Sequence, residues 1–152
     1  MTDQRILDAV ISAIMTERQA MMFYRRAALR MQDKRAREIF EQLAREELEH
    51  AKYFLDIYQG DSIPGLAEQL LEDGSESEWM LELAGLLDGG FDDAQALQLA
   101  MLKEKHLERQ LRHVAGSISD PAIRNVYEVN AESTRQHFIQ IEEEYKRLTG
   151  RA

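Results

Sequence analysis

A chain of 152 residues is long enough for one domain with a full apolar core and no covalent staples. Only two prolines and eight glycines, set among abundant Ala, Leu, Glu, Arg and Gln, favour an all-helical fold. The lack of cysteine excludes thiolate chemistry, zinc ribbons and iron–sulfur clusters and fits a reducing compartment, while a net charge of −9 argues against nucleic acid as a partner.

The first long helix is expected from Asp3 to Met31. Ile6, Val10, Ala13, Ile14, Ala20, Met21, Tyr24, Ala28 and Met31 recur on one face, and Glu17 interrupts that stripe midway. Met1 to Arg5 carries no apolar signal core, and no apolar run approaches the ~20 residues that span a bilayer. The expectation is a soluble, cytoplasmic protein without a membrane partner.

Asp33 suits an N-cap for a second helix that runs to about Tyr58 and stops before Gly60. Phe40, Leu43, Ala44, Ala51, Phe54, Leu55 and Tyr58 form its inner face. Glu47 lies seven residues after Phe40, and His50 seven after Leu43, so both point inward. The short connection makes residues 3–59 an antiparallel hairpin.

Residues 60–91 read as a long crossover. A turn at Gly60 to Gly65, a short helix at Leu66 to Leu71 and a turn at Asp73 to Ser75 precede Trp79, Met80, Leu83, Leu86 and Leu87, whose helical spacing suits a cover for the bundle. No Lys or Arg occurs between Tyr53 and Leu102, whereas Arg25, Arg26, Arg30, Lys34, Arg35 and Arg37 cluster at the first interhelix turn. These read as two solvated surfaces.

The second hairpin is expected over residues 92–148. Asp92 or Asp93 caps its first helix, which ends at Gly116 and points Leu97, Ala100, Met101, Glu104, Leu107, Leu111 and Val114 inward. Ser119-Asp120-Pro121 opens the last helix with a cap and a first-turn proline. Ile123, Val126, Tyr127, Asn130, Thr134, His137, Phe138, Ile141 and Tyr145 form its inner face, while His106 and His113 fall off the stripe and are expected in solvent.

Sliding the chain by 87 residues places Glu17 on Glu104, Asp33 on Asp120, Ala44 on Ala131, His50 on His137 and Tyr58 on Tyr145 without a gap. Caps and core positions fall into register together, which marks an internal duplication of a helical hairpin. The whole chain, 1–152, is therefore one all-α four-helix bundle of two duplicated antiparallel hairpins joined by a long crossover.

Three inward carboxylates (Glu17, Glu47, Glu104) and two inward imidazoles (His50, His137) would converge at mid-bundle. Buried carboxylates carry a large desolvation penalty unless compensated, and shared metal ions compensate them. Oxygen ligands with imidazole and no sulfur suit iron or manganese, with zinc as a further option.

Thr16 to Tyr24 (TERQAMMFY) and Leu43 to His50 (LAREELEH) resemble the first-half motifs of the rubrerythrin family of ferritin-like diiron proteins, and the resemblance covers both hairpins. It implies a ferritin-like bundle in which Glu17 is a terminal ligand, Glu47 bridges two irons and His50 completes one site. Glu104 and His137 are the second-half counterparts. Tyr24 resembles the tyrosine that orients a ligand carboxylate in the family.

Two departures qualify the match. Thr134 stands where the second bridging Glu belongs, and Leu107 where the family carries an additional Glu. The second metal site is therefore expected to be weak, with Thr134 holding a water or Glu108 swinging in as substitute. No rubredoxin-like domain is present in this sequence, so an external electron-donor protein would supply electrons. The resemblance implies an oxidoreductase reducing hydrogen peroxide or dioxygen and assembling as a homodimer or higher homo-oligomer. Alternatives are an iron-binding or ferroxidase protein, and a degenerate single-metal bundle serving as a binding or regulatory module.

Overall fold

The computed structural model describes residues 3–57 and 78–150. Among them it forms five helices and no strand: α1 (Asp3–Ala28), α2 (Lys34–Ile57), α3 (Glu78–Asp88), α4 (Asp93–Gly116) and α5 (Pro121–Thr149). The turns expected between Gly60 and Ser75, the short helix at Leu66 to Leu71, Tyr58, and the side chains of Trp79 and Met80 lie outside the described residues.

Helix ends follow local chemistry. The Asp33 carboxylate accepts the Ala36 N–H at 2.9 Å and starts α2. Asp120 accepts from Ala122 and Ile123 ahead of Pro121, and Gly150 ends α5 with φ 71°. α1 stops at Ala28, three residues before the expected Met31, because the Ala27 and Ala28 carbonyls take the N–H groups of Arg30 and Met31 in tight turns. Met31 nonetheless stays buried.

Of the two aspartates open to capping α4, Asp92 does so, accepting the Ala94 N–H at 2.7 Å. Asp93 reaches into the other hairpin instead, where its carboxylate accepts the N–H groups of Gln32 and Asp33, the latter at 2.7 Å. Arg147 of α5 donates to Asp33 and to the buried Glu144 at the same end. The two hairpins are thus tied beside the α1–α2 turn.

α1 packs along α2 and α4 along α5; the hairpins meet through α2 with α5 and α1 with α4, and α3 lies over α1 and α4. This is the expected ferritin-like all-α bundle. α3 buries Leu83 and sets Glu82 2.5 Å from the buried Lys103 Nζ, a pairing that α4's own apolar pattern does not reveal. No described helix is long and apolar enough to cross a membrane.

The core is divided in two. One apolar cluster holds Phe23, Tyr24, Phe40, Leu43, Leu97 and Ile141, and the other Val10, Ile14, Phe54, Leu107, Leu111 and Tyr127. On every long helix the inward carboxylates and imidazoles of the sequence pattern fall between the two: Glu17 after Ile14, Glu47 and His50 before Phe54, Glu104 before Leu107, and His137 before Ile141. The clusters close both ends of a polar layer and keep bulk water from it.

Candidate metal centre

Glu17, Glu47 and Glu104 are fully buried, and His50 and His137 are each 4% exposed. Their ligating atoms form two groups, Glu17–Glu47–His50 and Glu47–Glu104–His137, with the atoms of each group within 4.8 Å of one another. Glu47 belongs to both. Its Oε1 lies 2.9 Å from His137 Nδ1 and its Oε2 3.5 Å from His50 Nδ1, so its two oxygens face different groups. The α2 helix produces this by presenting Glu47 and His50 one turn apart on one face.

Both imidazoles turn Nδ1 inward. His50 Nδ1 is also 3.5 Å from Glu17, and His137 Nδ1 3.8 Å from Glu104. The rings stack with centroids 5.3 Å apart and planes at 8°. Their outer nitrogens find partners on the opposite hairpin: His50 Nε2 meets Ser133 Oγ at 2.8 Å, and His137 Nε2 meets Glu46 Oε2 at 2.9 Å. Ser133 and Glu46 occupy the same position of the duplicated unit, 87 residues apart. Sequence reasoning passed over both because each looks like an outward neighbour of an inward residue; the register of the duplication held the signal.

The remaining expected residues separate clearly. Tyr24 donates to Glu104 Oε1 at 2.6 Å, fixing that carboxylate and leaving Oε2 to face His137. Thr134 is buried, and its hydroxyl donates to its own helix at Asn130 O, 2.8 Å away. Glu108 belongs to neither group; its carboxylate is ion-paired with Arg112 at 2.8 Å, because four residues beyond Glu104 the helix has turned it outward. Leu107 sits in the apolar cluster. His106 and His113 are exposed.

Burial and mutual repulsion govern the charges. Burial and the negative Glu47 push the Glu17 carboxyl well above its usual range. The same two causes raise Glu104 to about 7, against the opposing pull of His137 and Tyr24. Burial also works against an ionised Glu47, but the neighbouring Glu17, His137 and His50 override it and hold this carboxyl well below its usual range. For His50, burial disfavours the cation, yet Glu17 and Glu47 raise it to about 10. His137 is raised further, since Glu104, Glu46 and Glu47 outweigh burial. Without metal, these shifts favour protonated imidazoles and protons shared among the carboxylates.

Protons do not satisfy this layer. Both oxygens of Glu17, Oε2 of Glu47, Oε2 of Glu104 and Nδ1 of His50 are buried with no hydrogen-bond partner. Orphaned buried polar atoms of this kind are costly. Here all five are metal-ligating atom types, and all belong to the two groups. The donor set therefore fits a pair of divalent cations with mixed oxygen and nitrogen ligands.

Searches among curated proteins and among solved structures returned no match. Comparison with protein families matches rubrerythrin over residues 8–148, a span that takes in both hairpins except the first five residues of α1 and the last of α5, and every residue of the two groups. On that match, which takes in nearly the whole sequence, the chain belongs to the rubrerythrin family.

Proposed function

We propose that the chain binds two metal ions between its hairpins, iron foremost with manganese or zinc as other occupants, and acts as an oxidoreductase that reduces hydrogen peroxide or dioxygen. The observation that carries the reading is the split Glu47 carboxylate, one oxygen toward each of two buried carboxylate–histidine groups. Glu17, Glu47 and His50 would hold one ion, and Glu47, Glu104 and His137 the other. Two ferrous ions would supply the two electrons that cleave an O–O bond.

The chain's own residues prepare that chemistry. Tyr24 anchors Glu104, and the cross-hairpin partners Ser133 and Glu46 fix the planes of His50 and His137. The aromatic groups Phe23–Tyr24–Phe40 and Phe54–Tyr127 wall off the layer at its two ends. No cysteine occurs in the sequence, so it offers no thiolate-held electron relay. An external electron-donor protein, cytoplasmic location and assembly as a homodimer or larger homo-oligomer complete the reading.

Ferrous-loaded protein mixed anaerobically with peroxide should oxidise much faster than ferrous ion in buffer, consuming one peroxide per two irons. Oxidation at the buffer rate would remove the enzymatic reading and leave metal binding alone. Iron handling without turnover, the second reading, predicts slow peroxide oxidation and a large hollow assembly.

Thr134 makes the two ions unequal. A hydroxyl bonded back to Asn130 brings no charge to the pair, so only Glu47 links the ions. Thr134→Glu should tighten the weaker ion by at least tenfold, read as the second step of a metal titration. Equal, full occupancy of two ions in both proteins would show that Thr134 costs nothing.

A further inference from the structure

We propose that Glu46, a half-exposed residue on the outer side of α2, is a positioning residue specific to the second metal site, supplying there the negative charge that Thr134 withholds. The inference rests on the two-metal reading and adds to it a residue that no ligand pattern includes.

The geometry is a pair of equivalent contacts with unequal chemistry. Each histidine presents Nδ1 to the centre and Nε2 to the residue that precedes Glu47 or Thr134 in the opposite hairpin. In one hairpin these two positions read Glu46-Glu47, and in the other Ser133-Thr134. Both hydroxyls are on α5 and both carboxylates on α2. A carboxylate accepts but does not donate, so Glu46 fixes the proton of His137 on Nε2 and frees the Nδ1 lone pair for a cation. Ser133 can accept or donate, so it orients His50 without adding charge.

Charge balance leads to the same residue. Two divalent ions bring four positive charges, whereas Glu17, Glu47 and Glu104 bring three negative ones. A second bridging carboxylate at position 134 would close the difference, but that position holds Thr. Glu46, 2.9 Å from the far side of His137, restores the fourth negative charge through the imidazole. A carboxylate behind a ligating histidine raises its basicity, and loss of such a partner weakens metal binding by roughly 10–100-fold. Because the Glu46 side chain is 41% exposed and the effect passes through one ring, it should fall on the His137 ion alone.

The test is a stepwise cobalt(II) titration followed by calorimetry and visible absorption, with helical circular dichroism confirming the fold of each variant. Glu46→Gln keeps an acceptor oxygen and removes the charge. It should weaken the second step by tenfold or more and move the first by less than about threefold. Glu46→Ala, which removes the acceptor as well, should weaken the second step further, whereas Ser133→Ala, which loosens His50, should act on the first step rather than the second. In a Thr134→Glu background the cost of Glu46→Gln should shrink, because the missing charge is then present. Wild-type titration in Glu46→Gln, equal weakening of both steps, or an undiminished cost in the Thr134→Glu background would overturn the role of Glu46. Wild-type protein that takes up no cobalt would overturn the metal-site reading itself.

Discussion

Replacing Glu47 with alanine should abolish stoichiometric uptake of both metals, whereas Glu17→Ala and Glu104→Ala should each impair one ion and spare the other. The distinction follows from the carboxylate's two faces. Removing Glu47 leaves only the pairs Glu17–His50 and Glu104–His137, and two protein ligands hold an ion poorly against water. Removing Glu17 or Glu104 leaves Glu47 and a histidine on the affected side and a complete group on the other. Glu47→Ala should also destabilise the metal-free chain, because Glu47 is the buried carboxylate held below its usual range by Glu17 and the two imidazoles that face it. Taking one member from a buried charged cluster costs roughly 3–5 kcal/mol, less whatever the histidines recover by losing protons. Metal analysis after dialysis, set beside urea denaturation of the apoproteins, reads both effects. Two tightly held ions in Glu47→Ala would end the case for a shared carboxylate.

Metal-free protein should lose stability as pH rises from about 5 to 10, and metal should reverse the trend. The sign follows from which way each group is shifted. Glu104 is raised from 4.5 to about 7 in the folded chain, so its contribution is complete below 4.5 and is lost as pH climbs through 7. His50, raised from 6.5 to about 10, contributes fully below 6.5 and is lost as pH approaches 10. Glu17 and His137 are raised too and act in the same direction. The depressed groups (Glu47, Asp33, Glu46 and Glu132) act oppositely, but their contributions disappear only as pH falls below the ordinary carboxylate range.

Metal requires these same groups without their protons, so its affinity and its stabilising effect grow with pH. Free metal at a hundredfold excess over Kd stabilises by about 2.7 kcal/mol per site. For a chain of this size that corresponds to roughly 5–10 °C in Tm for each ion. Melting curves of chelated and metal-loaded protein at pH 5, 7 and 9 should therefore diverge steadily. A chelated protein whose Tm rises across that range would contradict the proton bookkeeping of the site.

Much of this was legible in the sequence, because the decisive features are local or periodic. Asp33, Asp120 and Pro121 mark helix starts by their own backbone chemistry, and the 87-residue repeat sets both hairpins in register from the sequence alone. Glu17, Glu47, His50, Glu104 and His137 stood out because each breaks an apolar stripe, and the fold brings all five into one layer. What escaped depends on a partner from elsewhere in the chain. Nothing local distinguishes Asp92, which caps its own helix, from Asp93, which crosses to the other hairpin. Glu46 reads as a surface residue until His137 is placed beside it, and Lys103 as exposed until α3 covers it. Glu108 illustrates the converse: nearness to Glu104 in sequence suggested a ligand, but Arg112 one turn on holds it away.

The tie from Asp93 to the backbone of Gln32 and Asp33 has a bearing on the far-off polar layer. A shift of one residue along the axis displaces a helix by about 1.5 Å. Working geometry in a catalytic constellation tolerates about 0.5 Å. A carboxylate clasping two amides from the opposite hairpin is thus a ruler: it sets the axial alignment at which Glu47 arrives level with both histidines.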